Sequence, residues 1–208
     1  KQKAEYEILI GTQMVAKGLD FPKVSLVGVL IPDSMLYADD YRSYERSFSL
    51  LTQVVGRSGR GDRKGIALIQ TFTPENNVIS MAAAQDYEKF YNSEIAIRKA
   101  MLYPPYADIC MVGFVSDSHL SVIKSSENFM NKLVRRAKGN YSELPLRILG
   151  PSPASIAKVS NKYRYKIIVK CRNDKRFRKL LSDTVLEFNS EKENKNTTAY
   201  IDMNALSF

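Results

Sequence analysis

Short apolar runs and amphipathic segments alternate along the first half of the chain. The apolar runs predict three buried strands, at Ile8–Ile10, Leu26–Ile31 and Ile66–Gln70. Between the last two strands, apolar residues recur at helical spacing and predict a helix, with Tyr44, Phe48, Leu51 and Val55 on one stripe. A second helical stretch covers about residues 78–101. Strands that alternate with helices are typical of a parallel sheet with helices packed on it, so an α/β fold is expected.

The second half has a different order of elements. Tyr103-Pro104-Pro105-Tyr106 interrupts the helical pattern, because two adjacent prolines cannot continue a helix. We therefore predict two domains, residues 1–103 and 104–208. The pattern after the prolines predicts strand, helix, strand, strand, helix and strand, at residues 108–116, 118–136, 146–149, 163–171, 174–188 and 199–203. That order predicts a small ferredoxin-like α/β sandwich.

Charge is distributed unevenly between the two predicted domains. Residues 1–103 contain 13 Lys and Arg against 12 Asp and Glu, whereas residues 104–208 contain 18 against 10. Ten of the basic residues lie between Lys158 and Lys179, with the single acid Asp174. A basic excess confined to one half favours a polyanionic partner such as nucleic acid, and a merely soluble basic surface is the alternative.

Residues 163–171 are predicted to form the strand at the centre of this basic segment. Its outward face would carry Arg164, Lys166 and Lys170, which with Lys158 are the candidate phosphate contacts. Contact with solvent or with another domain is the alternative for this face. Tyr163 and Tyr165 can stack on bases, but they lie on the opposite face of the strand, which favours core packing.

Two arginines at a glycine-rich turn carry the strongest functional signal. Gln53-Val54-Val55-Gly56-Arg57-Ser58-Gly59-Arg60-Gly61 follows the amphipathic helix, so Arg57 and Arg60 leave its end on a tight turn. A guanidinium is permanently charged and binds phosphate oxygens in a fork, and it stabilises the charge of a transferring phosphoryl group.

A second motif follows the first apolar run, at Gly11-Thr12-Gln13-Met14-Val15-Ala16-Lys17-Gly18-Leu19-Asp20-Phe21-Pro22. Thr12, Gln13 and Lys17 can contact a nucleic-acid phosphate, and Gly18 and Asp20 can face a nucleotide. Neither a G-x-x-x-x-G-K-[ST] phosphate loop nor a D-E-x-H magnesium motif occurs in these 208 residues.

The arginine motif resembles motif VI of superfamily 2 helicases, and the second motif resembles their motif V. The amino-acid sequence of the second motif is similar to that of the PriA family of primosomal replication-restart helicases (primosomal protein N′). The same resemblance is carried by Asp40–Arg46, Gln70-Thr71, Leu102–Tyr106, Leu149–Ala154 and Tyr163–Lys166. The family's acidic-Pro pair near the end is replaced here by Asn204-Ala205.

The resemblance implies the C-terminal part of a RecA-like second helicase lobe, followed by a basic C-terminal domain. It implies an ATP-dependent 3′-to-5′ DNA helicase of replication restart, in which Gln53, Arg57 and Arg60 act on ATP and Gly18 and Asp20 support that site. ATP and Mg²⁺ would be held mainly by a first lobe upstream, zinc would lie in an upstream cysteine-rich region, and no cofactor is expected in these residues. The implied partners are forked and single-stranded DNA, the single-stranded DNA-binding protein and other primosome components. The implied location of the protein is the cytoplasm.

Two other function classes are left open by the residues themselves. The chain alone can be a DNA- and protein-binding module without ATPase activity, or residues 104–208 can be a purely structural interaction domain. Cys110 and Cys171 lie in apolar runs, where two buried thiols are favoured over a disulfide. With one histidine, His119, and two distant cysteines, a zinc site in these residues is not expected.

Overall fold

The computed structural model describes residues 8–12, 24–56 and 65–206. The chain divides into two compact units, which we describe separately. The first unit contains residues up to Ala38 and Arg42–Glu94, and the second contains Asp39–Tyr41 and the chain from Ile95 onward. The domain limits expected at residues 103 and 104 stay a prediction. Among the described residues, no helix is long and apolar enough to cross a bilayer.

The first unit has the parallel strands that the apolar runs predict. Strands β1 (Leu26–Leu30) and β2 (Ile66–Gln70) pair in parallel, in the register that places Gly28 opposite Leu68. Its helices are α1 (Asp33–Leu36), α2 (Ser43–Val55), α3 (Asn77–Ala83) and the first part of α4 (Tyr87–Met101). Their apolar residues form one core, in which Leu51 is fully buried and Phe48 stacks on Phe90 with ring centroids 4.1 Å apart.

Three expectations for the first unit need correction. Ile8–Ile10 are 62–90% exposed and have no regular secondary structure, and they pair with none of the described strands. The sheet is half-buried on one face, where Val29 and Ile69 pack against the core. On the other face Leu26, Leu30, Ile66 and Leu68 are more than half exposed. The helical stretch expected over residues 78–101 is two helices, because Gln85 adopts a left-handed conformation with φ 55° between them.

The second unit has the expected order of elements. Its strands are β3 (Asp108–Ser116), β4 (Arg147–Val159), β5 (Lys162–Cys171) and β6 (Thr197–Met203). Helix α5 (His119–Lys138) joins β3 to β4, and α6 (Lys175–Ser190) follows β5, with a single 3₁₀ turn at Lys192–Asn194 before β6. The sheet order is β4-β5-β3-β6 with every pair antiparallel. This is the split β-α-β arrangement of a ferredoxin-like sandwich.

Local signals position both long helices. The side chain of Ser118 caps α5 by accepting a hydrogen bond from the Ser121 amide, and Asp174 caps α6 by accepting one from the Phe177 amide at 2.9 Å. The two helices cover one face of the sheet with a continuous aromatic and aliphatic core. Its fully buried aromatic residues are Phe114, Phe129, Phe177 and Phe188.

The two cysteines confirm the expectation of buried thiols. Cys110 and Cys171 are unpaired and face this core. Burial raises the pKa of each thiol to about 12.

Strand β4 is longer than the predicted strand over residues 146–149. It continues through Gly150-Pro151 to Val159. Gly150 adopts φ 106°, and a side chain there would meet the Lys166 carbonyl oxygen at 2.9 Å, so only glycine fits. Pro151 and Pro153 are tolerated because β4 is an edge strand that pairs with β5 alone. The two register shifts in the β4–β5 pairing lie beside these prolines. The strand therefore continues to a two-residue turn at Ser160 and Asn161, both with positive φ.

The residues after β6 are packed against the sheet. Asn204 adopts φ 58°, and its amide donates a hydrogen bond to the carbonyl oxygen of Ile109. Ala205 is 2% exposed. Asn204 and Ala205, which depart from the family pattern, therefore attach the end of the chain to strand β3 of the second unit.

Candidate nucleic-acid interface

The basic strand β5 presents two chemically different faces, as its alternation predicts. One face of β5 points toward the helices, and its residues belong to the core or pack against it: Tyr163, Tyr165, Ile167, Val169 and Cys171. Core packing of the two tyrosines is therefore confirmed. Arg164, Lys166 and Lys170 lie on the opposite face. That face was expected to point outward and to contact DNA, and the structure shows that Lys166 and Lys170 on it are largely covered.

Lys170 corrects the expectation of an outward-facing cation. It is 5% exposed, and its ammonium group donates a hydrogen bond to the carbonyl oxygen of Met101, the last residue of α4. The same ammonium lies 3.9 Å from the centroid of the Tyr103 ring. Burial lowers the pKa of Lys170, and the neighbouring Arg147 lowers it further. The Lys170 ammonium therefore caps the end of α4 and packs on the Tyr103 ring, so it is not positioned to contact phosphate.

Lys166 is also engaged within the second unit. Its side chain is 13% exposed, and its ammonium lies 3.4 Å from a carboxylate oxygen of Asp39 and 3.5 Å from the hydroxyl of Ser155. Ser155 donates a hydrogen bond to the same Asp39 oxygen. A carboxylate thus occupies the position in which the sequence predicts a phosphate contact.

Asp39–Tyr41, which we call the strap, hold this arrangement together. The strap lies between α1 and α2 in the sequence, yet its contacts are with the second unit. Tyr41 stacks on Tyr103 with ring centroids 5.4 Å apart, and the Arg98 guanidinium lies 5.4 Å from the Tyr41 ring. Two cations therefore bracket two stacked rings, a favourable alternation because each aromatic face is electron-rich.

The other end of the β4–β5 hairpin is more accessible. Lys158 is exposed, and its ammonium lies 4.8 Å from the Tyr163 ring. His119, at the start of α5, lies beside both tyrosines, with ring centroids 4.9 Å apart for Tyr163 and a 3.4 Å contact to the Tyr165 hydroxyl. Arg164 is half-buried. Lys158 and Arg164 are therefore the predicted contacts that remain available to a phosphate.

Sequence reasoning missed two further lysines near this end. Lys162 and Lys195 are exposed and line a surface depression that also contains the acidic Asp117. The depression lies at the end of the sheet, where β3 leads into α5 and where β6 begins. A two-residue turn at Ser160-Asn161 pairs Val159 with Lys162, so a hairpin prediction could have placed Lys162 at this end of the sheet.

The comparison with known protein families concerns this unit most directly. Residues 99–206, more than half of the chain, match the sequence model of the family described as "Primosomal protein N C-terminal domain". The chain belongs to this family. The family match spans α4's last turn, the whole split β-α-β unit and Ala205.

Similarity to individual proteins extends over nearly the whole chain. A "Replication restart protein PriA" from Bacillus subtilis is 41% identical over 198 residues, which cover 95% of this chain and 24% of that protein. Proteins of the same name from Chlamydia muridarum and Synechocystis are 37% and 38% identical over 97% and 81% of this chain. The chain spans about a quarter of the length of these relatives.

Most of the predicted motor residues cannot be placed. Gln13, Lys17, Gly18, Asp20, Arg57 and Arg60 lie outside the described residues. Of the others, Thr12 is exposed in a segment without regular secondary structure, and Gln53 is exposed on α2, away from the buried Phe48 and Leu51. Helix α2 ends at Val55 and is capped by Gly56, whose amide donates to the Thr52 carbonyl oxygen at 3.0 Å. Gln53 therefore lies in the last turn of this helix.

A polar cluster that sequence reasoning missed lies where β1 and β2 end. The Asp33 carboxylate accepts hydrogen bonds from the Thr71 hydroxyl at 2.9 Å, the Thr73 hydroxyl at 3.2 Å and the Phe72 amide at 3.2 Å. Although burial opposes the effect, these hydrogen bonds lower the pKa of Asp33. The cluster ties the carboxyl ends of the two parallel strands together, which is the edge where α/β sheets place ligands.

Proposed function

We propose that this chain is the C-terminal portion of a replication restart protein, and that its parent is an ATP-dependent 3′-to-5′ DNA helicase. The observation that carries the proposal is the similarity to proteins named for replication restart over 95% of the chain, both arginines included. In this proposal residues 1–103 are the C-terminal part of a RecA-like second lobe, and residues 104–208 contact DNA.

The structure of the first unit supports a lobe that is completed by other residues. Parallel sheets occur almost only with both faces covered, yet Leu26, Leu30, Ile66 and Leu68 are more than half exposed on one face of β1 and β2. The polar cluster at Asp33 lies at the strand ends where such lobes bind nucleotide.

The catalytic roles rest on chemistry rather than on observed contacts. Arg57 and Arg60 would stabilise the charge that develops on the transferring phosphoryl group, and Gln53 would lie beside them because it is on the helix that leads to them. ATP and Mg²⁺ would be held mainly by the first lobe. Among the described residues no group of three or more His, Cys, Asp or Glu is arranged to hold a metal ion.

The arginines are tested in the full-length parent. We expect Arg60→Ala to lower DNA-stimulated ATP turnover by roughly a thousandfold while leaving ATP binding nearly intact, since a finger acts on the transition state. Arg57→Lys should also be costly, because an ammonium cannot fork onto two oxygens. Arg172→Ala removes an exposed arginine outside both motifs and serves as the control. Near wild-type turnover by Arg60→Ala would refute the assignment.

A binding module without ATPase activity is the second candidate for the chain as it stands. It is favoured by the missing phosphate loop, without which arginine fingers have no nucleotide to act on. We expect the 208-residue chain to release no phosphate from ATP in the presence of single-stranded DNA, while still binding that DNA. Turnover above background by the purified chain would exclude this candidate.

DNA binding by the second unit is proposed to use Lys158, Lys162 and Arg164 at the turn end of the β4–β5 hairpin. Lys158 lies on the Tyr163 side of the sheet and Arg164 on the other, and Lys166 is paired with Asp39. The free cations predict weak affinity without sequence preference, and the logarithm of the affinity should fall with the logarithm of salt concentration at a slope of about −2 on single strands if three phosphates are neutralised. Replacing Lys158, Lys162 and Arg164 with Ala should flatten this slope. The control is Lys170→Met, which should alter stability and not the salt slope, because Lys170 is buried.

A further inference from the structure

The strap places an acid against the one basic side chain that lies at the centre of the predicted DNA face. Asp39 reaches Lys166 and Ser155 through a single carboxylate oxygen, with the Lys166 ammonium 3.4 Å away. Lys and Ser are both residue types that donate to DNA phosphate oxygens. A carboxylate and a phosphodiester are both singly charged anions that offer oxygen acceptors, so the same pair of donors fits either one.

We infer that Lys166 and Ser155 form a phosphate site that the strap closes, with the Asp39 carboxylate standing in for a DNA phosphate. This inference rests on the DNA contact proposed above and adds its regulation. The Lys166 side chain is only 13% exposed and has two polar partners, so its position is fixed by the fold. The Asp39 side chain is 60% exposed, so it can move away from Lys166 into solvent.

Ring stacking and a cation–π contact hold the strap in place, and the strap is only three residues long. Tyr41 stacks on Tyr103, and the Arg98 guanidinium both faces the Tyr41 ring and donates to the Pro104 carbonyl oxygen at 3.3 Å. Because Asp39 is on the same chain, it competes at a high effective concentration with an external phosphate. Only Arg42 separates the strap from α2, the helix that carries Gln53. Release of the strap from Lys166 and Ser155 would open the site.

The first test measures DNA affinity of the whole 208-residue chain. Fluorescence anisotropy with a labelled oligothymidine, from low to moderate salt, should show that Asp39→Asn binds at least roughly threefold more tightly than wild type. The salt slope should steepen by about 0.7, the value for one additional phosphate on a single strand. Lys166→Met in the Asp39→Asn background should remove both gains. Glu193→Gln removes one negative charge from an exposed site away from the strap and is the matched control.

The second measurement does not depend on DNA. Acylation of lysines followed by mass spectrometry should show Lys166 reacting faster in Asp39→Asn than in wild type, with Lys170 unchanged because it is buried by other groups. Tyr103→Leu, which removes the ring that stacks on Tyr41, should increase Lys166 reactivity in the same direction. Circular dichroism on each variant checks that the fold is retained.

The outcomes separate this inference from the function on which it rests. DNA binding by wild type that Asp39→Asn leaves unchanged overturns the closed site and leaves the DNA contact standing. A gain in Glu193→Gln equal to that in Asp39→Asn also overturns it, since the effect would then be one of net charge. If neither wild type nor Asp39→Asn binds DNA at low salt, both proposals fail. Binding by Asp39→Asn alone supports both.

Discussion

Glu187 on α6 is the centre of an ion-pair cluster that should make the second unit sensitive to acid. Its carboxylate accepts from Arg136 at 2.9 Å, from Arg135 and from Lys132 at 3.2 Å, which joins α6 to α5. Lys132 is also paired with Glu191. Hydrogen bonds from Arg136 and Arg135 lower the pKa of Glu187 from 4.5 to about 2, although partial burial opposes them.

The magnitude follows from the difference in pKa between the folded and unfolded states. A pKa lowered from 4.5 to about 2 corresponds to at most about 3 kcal/mol of stability at neutral pH. Solvent screens part of it, because the Glu187 side chain is 23% exposed and that of Arg135 is 67% exposed, so we expect about 1–2 kcal/mol. Because the folded pKa is the lower one, this stability is present above pH 4.5 and is lost as the pH falls toward 2.

Glu187→Gln removes the charge and nearly preserves the shape. At pH 7 we expect the variant to lose about 1–2 kcal/mol, or a fall of roughly 3–6 °C in Tm. At pH 2.5 the loss should be much smaller than at pH 7, since the pH is then well below the unfolded pKa of 4.5 and close to the folded pKa of about 2. Urea and thermal unfolding followed by circular dichroism at several pH values measure both quantities. Glu193→Gln, an exposed site with the same change in charge, is the control.

Two results would refute the reasoning for Glu187. The first is a loss at pH 7 no larger than that of Glu193→Gln, which would mean that the ion pairs are fully screened. The second is an undiminished loss at pH 2.5, which would mean that the amide disturbs packing and that the charge is not the cause.

Three further predictions concern packing and chemistry in the second unit. Gly113→Ala should cost about 1–3 kcal/mol, because the new methyl would lie 2.2 Å from the Tyr200 ring; unfolding of a Gly113→Ala/Tyr200→Ala double variant should show most of that cost removed. Asp174→Ala should lower stability by about 1 kcal/mol in urea titrations, since it removes the cap of α6. Cys110 and Cys171 should react with a thiol reagent in native protein only at the rate of unfolding, because both are buried with a thiol pKa of about 12; fast native labelling would contradict this.

Sequence reasoning succeeded where a structural signal is local or periodic. The bounds of β2 and β3 follow directly from their apolar runs, and Ser118 and Asp174 cap the helices whose starts they predict. It failed at Gly150-Pro151, because turn-forming residues are compatible with a strand when that strand lies at the edge of a sheet. It also failed at Ile8–Ile10, since an apolar run becomes a strand only when it pairs with another, and these residues pair with none of the described strands.

For the candidate site, the sequence by itself determined which residues share a face and how much positive charge the second half carries. Alternation alone places Arg164, Lys166 and Lys170 together, because successive side chains of a strand point to opposite sides. Only the tertiary structure decided which of these cations is free. Lys170 is covered by the end of α4 and Lys166 is paired with Asp39, 127 residues away in the sequence. No periodicity within a strand records such contacts, because they depend on where distant segments of the chain are brought by folding.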